Sequence, residues 1–381
     1  MHVAPEPVAE LVLPTLDWRS LARRAALPAA AAIALVVAVI VAGGPLQAFA
    51  DALRRALGAD PRWVAAGAVF ELLSFGGYIA LLWLVGRRAS ARLGLRASTE
   101  ITLGGAAATR LLPTGGVGGA ALTIWALRRA GLGVRGATRT LLCFLVVLYS
   151  VFLGAIAVSG WLLTLGLAHG DGPLALSAVP AAAATLGILG GLVLAARRGA
   201  PDQPAAQAPA GASRLVRART ALRNVPGALG TGVRDALELV RSADVRLLGA
   251  IAWWGFDAAV LWAMLHAFGA PPALAVVVLG YFVGQVANTI PIPGAVSGGM
   301  VGVFLAFGVE PDLALASVLA YRAVAIWLPT PIGLTALTGL RRTIGRWARE
   351  DAREPAQAPQ PEPQPHRLPA PRRPARELQA A

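Results

Sequence analysis

The sequence contains no lysine, a single cysteine and few charged residues. Only 14 % of its residues are charged, whereas 56 % are hydrophobic, a balance far from that of soluble domains. Cys143 lies inside an apolar run and the four histidines are scattered, so neither a disulfide framework nor a metal site is expected. Enzyme signatures for nucleotide, metal or serine-hydrolase chemistry are also missing. We therefore expect neither a cofactor nor an enzyme.

The positive charge of the chain comes entirely from arginine. The formal net charge is +14, which by itself suits a nucleic-acid partner. The arginines, however, lie beside apolar runs without interleaved aromatic residues, and this pattern indicates membrane topology rather than nucleic-acid binding. A basic surface next to a membrane attracts anionic phospholipid headgroups.

Several apolar runs approach 20 residues, the length that crosses a bilayer as a helix. The first begins only near residue 27 and shows no signal-peptide cleavage pattern, so it is expected to be retained. We predict an all-α polytopic membrane protein, with residues 1–26 as a cytoplasmic segment and 27–345 as the membrane domain. The six predicted full spans are about residues 27–44, 63–85, 140–167, 174–196, 247–268 and 312–340.

Two further apolar segments are interrupted by proline and glycine. Residues 111–119 read LLPTGGVGG, within the segment 99–127, and residues 291–299 read PIPGAVSGG, within 273–308. The arms on either side of the first break are too short to cross about 30 Å of hydrocarbon, so a re-entrant helical hairpin is predicted, and the second segment is interpreted alike. A matched pair of such breaks is typical of a transporter's binding site.

The arginines are distributed unevenly among the loops. Arg54, Arg55 and Arg62 fall on one side of the predicted spans, Arg110 and Arg322 at membrane depth, and all the others on the opposite side. Since arginine-rich loops stay cytoplasmic, both termini are predicted to be cytoplasmic in a plasma-membrane protein. The two hairpins then enter from opposite sides, which makes the two halves an inverted repeat.

Three polar or basic segments surround these spans. Residues 46–57 are predicted to form a short helix on the membrane surface. Residues 197–246 are predicted to form a basic cytoplasmic connector, with a disordered first part and an amphipathic helix at about 226–245. Residues 346–381 are expected to be a disordered, basic, proline-rich tail.

Four ionisable side chains fall at membrane depth, namely Glu71, Arg110, Asp257 and Arg322. Each costs at least about 2.5 kcal/mol at a helix centre, so each should face protein or water. Internal ion pairing, a lipid-headgroup site and a proton relay all remain open. An arginine guanidinium suits a phosphate well, and prolines 329 and 331 are expected to kink the last span near Arg322.

The candidate headgroup site combines the two breaks with neighbouring polar groups. Half-helices that begin near Gly119 and Ser297 would point positive dipole ends at an anion. Close packing of membrane helices is the other explanation of the glycines. Besides Arg322 and Arg110, the candidate substrate-binding residues are Thr114, Gly115, Gly116, Gly118, Gly119, Asn288, Pro291, Pro293, Gly294, Ser297 and Tyr321.

The two motifs resemble a known family. The first motif, continued by LRRAG at residues 127–131, and the second, continued by LAYR at 319–322 and WLP at 327–329, are similar to signatures of the lysylphosphatidylglycerol synthase transmembrane region. This family is also called the flippase-like membrane domain family. The resemblance covers about residues 20–345. It implies a membrane domain with re-entrant helices that moves lipids between leaflets.

The chain also departs from the family pattern. Met300 stands where a glutamate is common, Gly294-Ala295 where two glycines are common, and Ala120 and Thr123 where acidic and arginine residues are common. Too few residues follow the last span for the soluble aminoacyltransferase domain of the synthases, so a stand-alone member is expected. The resemblance implies translocation of an anionic phospholipid or polyprenyl-linked lipid.

Two other functions remain open at this point. The chain could be a non-transporting scaffold for a lipid- or glycan-modifying enzyme, which the departures at Met300, Ala120 and Thr123 favour. It could also be an intramembrane transferase that uses a polyprenyl-phosphate donor, although no set of catalytic bases supports that reading.

Overall fold

The computed structural model describes residues 58–111, 117–197, 213–289 and 294–353. Regular structure within these residues is entirely helical, which confirms the all-α class. Two short 3₁₀ helices, Val245–Leu247 and Ala287–Thr289, accompany the α-helices. The α-helices in chain order are α1 (Pro61–Ala89), α2 (Leu95–Leu111), α3 (Val117–Arg129), α4 (Val134–Thr164), α5 (Leu174–Ala196), α6 (Arg214–Arg241), α7 (Leu248–Phe268), α8 (Leu274–Val286), α9 (Ala295–Ala306), α10 (Pro311–Trp327) and α11 (Pro329–Arg353).

Five helical stretches in the described residues are long and apolar enough to cross a membrane. They are α1, α4, α5, the stretch Val245–Phe268 that contains α7, and the stretch Pro311–Arg353 that contains α10 and α11. These stretches correspond to the five predicted spans that fall inside the described part of the chain. The predicted span 27–44 and the surface helix 46–57 lie outside it.

Each broken segment forms a pair of short helices that pack against each other. In the first hairpin, α2–α3, Gly105 and Thr109 contact Gly119. In the second hairpin, α8–α9, a Cβ on Gly284 would lie only 2.2 Å from Cγ of Met300. Glycine is therefore required where the arms of the second hairpin meet. The four arms have 17, 13, 13 and 12 residues, and the longest reaches only about 26 Å at 1.5 Å per residue.

The second hairpin restarts at a glycine whose backbone other residues rarely adopt. Gly294 has φ +83° and ψ −5°, in the left-handed region, and it stands at the N-cap of α9. A Cβ is strongly disfavoured in this conformation. The proline-containing turn residues themselves, 112–116 and 290–293, lie outside the described residues.

Contacts between loops group several arginine-rich segments at one end of the bundle. The Ser90 hydroxyl donates a hydrogen bond to the carbonyl of Ala130 (2.9 Å), and Arg92 pairs with Asp351. The first contact joins the start and the end of the first hairpin. We call the end of the bundle that holds residues 86–96, 128–139 and 341–353 the basic end.

The second hairpin has both of its ends at the opposite end of the bundle. Here the Asp60 amide donates to the carbonyl of Ala267 (3.0 Å), which joins the start of α1 to the end of α7. Gly172 packs against the ring of Phe307, which joins the turn after α4 to the turn after α9. The two hairpins thus open towards opposite ends of the molecule.

The two halves of the chain meet along α1 and α7, which run antiparallel. Gly67 packs against Met264 near one end of the contact, and a Cβ on Gly77 would lie 2.7 Å from the carbonyl oxygen of Gly249 near the other. Between them, the Ser74 hydroxyl donates to the carbonyl of Trp253 (2.8 Å). The helices that precede the two hairpins, α1 and α7, thus contact each other in opposite directions.

The last helix connects back to the first hairpin. Gly333 of α11 packs against α2 so closely that a Cβ would lie 2.5 Å from the carbonyl oxygen of Leu103. Leu337 contacts Gly104 one turn further along. Residues 311–353, of which 312–340 were predicted as one continuous span, are divided by the prolines into α10 and α11, with the junction at Leu328.

Two predicted boundaries were wrong. The amphipathic helix starts at Arg214 rather than near residue 226, because Pro226 lies inside α6 and does not begin it. The predicted start of a disordered tail at residue 346 is too early, since α11 continues to Arg353 with Trp347 buried. Helix α4 begins at Val134, six residues before the predicted span, and its Arg139 pairs with Asp235 of α6 (2.6 Å).

Candidate functional site

A buried carboxylate on α7 holds together three elements of the bundle. Asp257 is 8 % exposed, and its Oδ2 accepts hydrogen bonds from the phenol groups of Tyr281 and Tyr321. The Tyr321 oxygen lies 3.2 Å from Oδ2. Tyr281 belongs to the first arm of the second hairpin and Tyr321 to α10. One carboxylate oxygen therefore ties α7 to both.

An amide completes this network. The Nε2 of Gln285 donates to the hydroxyl oxygens of Tyr281 (3.2 Å) and Tyr321 (3.1 Å). Gln285 lies one helical turn after Tyr281 on α8, so both side chains project from the same face. We call Asp257, Tyr281, Gln285 and Tyr321 the polar core. Both tyrosines are at most 1 % exposed, so the network lies among apolar side chains.

Glu71 on α1 is the second buried acid of the central helix pair. It is 2 % exposed, and it lies between the Gly67–Met264 and Ser74–Trp253 contacts. Asp257 lies between the same two contacts on α7, so the two acids are at the same level of the bundle.

A mostly apolar cavity opens beside Glu71. Its volume is about 180 Å³, and it lies between α1, α2 and the junction of α10 with α11. Glu71 is its one acidic lining residue. The remaining lining residues are Leu72, Phe75, Gly76, Ile79, Leu103, Leu328, Pro329 and Ile332.

Arg322 follows Tyr321 on α10 and is half-buried. Among the described residues it forms neither a hydrogen bond nor an ion pair. Helices α9 and α10 pack against each other. The number of residues from the start of α10 to Arg322 equals the number of residues from Ala295 to the end of α9. Because the chain reverses between the two helices, Arg322 is near the level at which α9 begins.

The N-terminus of α9 carries no capping side chain among the described residues. Its first amides therefore have no side-chain acceptor, and the helix dipole makes this end positive. Ser297 lies in this first turn and is half-buried, whereas Gly294 and Asn288 are exposed. Arg322 and the positive N-terminus of α9 are therefore expected at about the same level of the bundle.

An ion pair of Arg322 with a buried acid, one of the alternatives left open by the sequence, is not formed by the described side chains. Asp257 instead accepts hydrogen bonds from the two tyrosines. Gly118 and Gly119 occupy the first turn of α3, where Gly119 packs on Thr109. The predicted site residues Thr114, Gly115, Gly116, Pro291 and Pro293, and the side chain of Arg110, lie outside the described part of the structure.

The sequence prediction missed Tyr281 and Gln285. A possible signal was their spacing of four residues within the otherwise apolar run VVVLGYFVGQV, which puts two polar groups on one helix face. The departures from the family pattern are packed locally. Met300 is fully buried against Gly284, and Thr123 donates to the carbonyl of Gly119 (2.9 Å).

Comparison with known families identifies the chain. The family described as the lysylphosphatidylglycerol synthase TM region matches residues 26–333. The chain belongs to this family. The match extends over both hairpins, the polar core and Arg322, and it confirms the resemblance of the two motifs. A search of curated proteins found no match.

Membership of the lysylphosphatidylglycerol synthase TM region indicates a membrane protein with a lipid-related function. The apolar helices agree with a multi-pass membrane protein. The family match ends at residue 333, so most of α11 lies beyond it.

Proposed function

We propose that this protein moves an anionic phospholipid or polyprenyl-linked phospholipid between the two leaflets of the plasma membrane. The headgroup passes between the two hairpins, beside Arg322 and the polar core, while the tails stay in the hydrocarbon. The hairpins are re-entrant in this proposal, because each has both ends at one end of the bundle and arms shorter than a bilayer core.

Arg322 is the observation that carries the proposal. A guanidinium cannot lose its charge in a protein, and a charged residue within a membrane helix is costly unless it meets water or a partner. Arg322 has no hydrogen-bond or ion-pair partner among the described residues. A phosphate would supply one, since it accepts two parallel hydrogen bonds from the guanidinium. The nearby N-terminus of α9 favours the same anion.

The polar core is proposed to hold the second hairpin in one of two positions. Tyr281 and Gln285 lie on the hairpin arm α8, and their partners lie on α7 and α10. Movement of this arm would break those hydrogen bonds together. Such an element has two discrete states rather than a continuous range, as a transporter that exposes its site alternately to each side requires.

Lipid movement in proteoliposomes tests the proposal. Fluorescent phosphatidylglycerol should cross in the presence of the wild-type protein, and Arg322→Ala should slow it about tenfold or more, since a charge-assisted hydrogen bond contributes about 1.5–3 kcal/mol. Arg342→Ala removes an exposed arginine of α11 and is the matched control, which should keep the wild-type rate. A fluorescent phosphatidylcholine reports selectivity for the anionic headgroup.

The results of this experiment test the assignment of Arg322 and the proposed lipid transport separately. A wild-type rate in Arg322→Ala would remove Arg322 from the pathway while leaving the transport function standing. Failure of the wild-type protein to move any anionic phospholipid or polyprenyl-linked phospholipid, with an ion gradient or without one, would overturn the proposed function itself.

A scaffold function is the second candidate, and Met300 favours it. Where relatives commonly have an acid, this side chain is fully buried against Gly284, so it offers no charge to a headgroup. A scaffold would bind a lipid- or glycan-modifying enzyme through its basic connector or tail. Deleting residues 354–381 spares α11, so a transporter should keep its activity, whereas a scaffold that uses the tail should lose its partner.

A further inference from the structure

Helix α6, which connects the two halves, is packed along only part of its length. Near its C-terminal end, a Cβ on Gly230 would lie 2.7 Å from the carbonyl oxygen of Leu194, and Gly232 contacts Leu142. Asp235 pairs with Arg139 at the start of α4. These contacts fix α6 beside the ends of two predicted spans, α4 and α5, at the basic end of the bundle.

The N-terminal half of α6 leaves this packed region with its apolar side chains uncovered. Leu215 is 82 % exposed and Leu222 is 71 % exposed, whereas Leu229, near the packed region, is 38 % exposed. A spacing of seven residues puts all three on one side of the helix. We call Leu215, Leu222, Val225 and Leu229 the apolar stripe.

The charges beside the stripe have one sign. The arginines of this half are Arg214, Arg217, Arg219 and Arg223, and no acidic residue occurs in α6 before Asp235. Arg219 and Arg223 are exposed. An exposed apolar stripe flanked by arginines is the pattern of a helix that lies in a membrane interface.

The position of α6 fits a lipid surface better than a protein partner. Helix α5, on which α6 packs, buries only Ser177, Ala181, Ala184 and Ala195, so most of its apolar surface is free to face lipid if the helix crosses the membrane. A helix fixed at the end of such a span continues over the bilayer surface. Its arginines then meet anionic headgroups and its leucines the outer part of the acyl chains.

We propose that residues 214–229 of α6 form an anionic-lipid-binding surface that lies in the membrane interface. The apolar stripe inserts at the boundary between headgroups and acyl chains, and Arg219 and Arg223 bind lipid phosphates. This surface is separate from the polar core and does not depend on the transport proposed above. It keeps the connector between the two halves in contact with the lipids of one leaflet.

Depth measurement with spin labels tests the proposal on the full chain. A nitroxide is attached to Leu222→Cys, on the stripe, or to Thr220→Cys, on the polar side of the same turn, and each protein is reconstituted in vesicles. The one native thiol, Cys143, is buried, and it is present in both proteins, so the comparison between them corrects for its labelling. Collision with oxygen reports hydrocarbon and collision with a nickel chelate reports water.

In vesicles of phosphatidylglycerol and phosphatidylcholine, the label at position 222 should be oxygen-accessible and shielded from the chelate, and the label at 220 should show the reverse. Replacing Arg219 and Arg223 by glutamine, or using phosphatidylcholine alone, should move the label at 222 towards water. The control is the same double replacement at Arg341 and Arg342, two exposed arginines of α11. It should leave the depth of the label at position 222 unchanged.

Two results would overturn the proposal. A label at 222 that reacts freely with the chelate in the anionic vesicles shows that the stripe is in water. A label that is immobilised and shielded equally in both vesicle types, and is unaffected by the glutamine replacements, shows that a second copy of the protein covers the stripe instead of lipid.

Discussion

At the scale of single residues, the polar core concentrates several interactions on one atom. Oδ2 of Asp257 accepts from two phenols, and Gln285 donates to both of these phenol oxygens. A buried polar network of this kind is stabilising only while each member keeps its partners. Loss of the acceptor should therefore matter more than loss of one donor.

Substitutions in the polar core should differ in their cost. Tyr321→Phe removes one hydroxyl and should lower stability by about 1 kcal/mol or less, since hydrogen bonds between membrane helices average about 0.6 kcal/mol. Asp257→Ala leaves two buried phenol donors without their acceptor and should cost more, at about 1–3 kcal/mol for each unsatisfied group. Thermal unfolding of the purified proteins in the same detergent gives the order.

The comparison has a clear negative outcome. If Asp257→Ala unfolds at the wild-type temperature, the carboxylate does not hold α7, α8 and α10 together, and the polar core has no structural role.

At the scale of elements, the second hairpin depends on a close approach between its arms. Gly284 faces Met300 of the opposite arm, and a Cβ on Gly284 would lie 2.2 Å from the methionine Cγ and 2.9 Å from its backbone nitrogen. The side chain could rotate away, but the backbone nitrogen can move only if the arms separate. Gly298, on the same hairpin, has open space where its Cβ would be.

Alanine substitutions at these two glycines should therefore change stability in opposite directions, because packing dominates at Gly284 and helix propensity dominates at Gly298. Gly284→Ala should destabilise the protein by about 1–3 kcal/mol because it overpacks the contact. Gly298→Ala should be neutral or slightly stabilising, since alanine favours a helix by up to about 1 kcal/mol. Thermal unfolding checks both, and equal unfolding temperatures for the two variants would contradict the close approach.

Some elements were predictable from the sequence because the bilayer imposes a length. The run at 174–196 contains no charge and ends at arginines, so its bounds were predicted as the structure has them. The breaks were predictable because Pro113 and Pro293 interrupt apolar runs beside glycines. The start of α6 was missed because Pro226 suggested a helix beginning, whereas the chain continues a helix through it.

The polar core could not be predicted, since its residues are far apart in the sequence. Asp257 was recognised as an intramembrane acid, but nothing local indicates that Tyr281 and Tyr321 reach the same oxygen. That depends on how α8 and α10 are rotated against α7, which is set by tertiary packing. The level shared by Glu71 and Asp257 depends likewise on the register of the α1–α7 contact.

At the scale of the whole molecule, the segments predicted to share one side of the membrane do contact each other. Ser90 reaches Ala130, and Arg92 reaches Asp351, at the basic end, whereas Gly172 reaches Phe307 at the other. These contacts agree with the arginine distribution. The positive-inside tendency predicts that the basic end faces the cytoplasm.

Labelling of single introduced thiols should establish this orientation. Ala91→Cys and Asp171→Cys put thiols at exposed positions at the two ends of the bundle. With a membrane-impermeant maleimide added to intact cells, position 171 should react and position 91 should react only after the membrane is opened. The wild-type protein, with its buried Cys143, is the control. The reverse pattern would invert the proposed topology.

The junction at Leu328 has a mechanical consequence. Beyond it, α11 is fastened to the first hairpin, where Gly333 presses on the backbone of Leu103. Before it, α10 is fastened to the second hairpin through Tyr321 and Gln285. Leu328 itself stays helical and donates its amide to Val324, but prolines 329 and 331 have no amide hydrogen to donate, so we expect any change in the angle between α10 and α11 to occur at this junction. A movement of the first hairpin, at the basic end, would then be transmitted through α11 and α10 to the second hairpin, at the opposite end of the bundle.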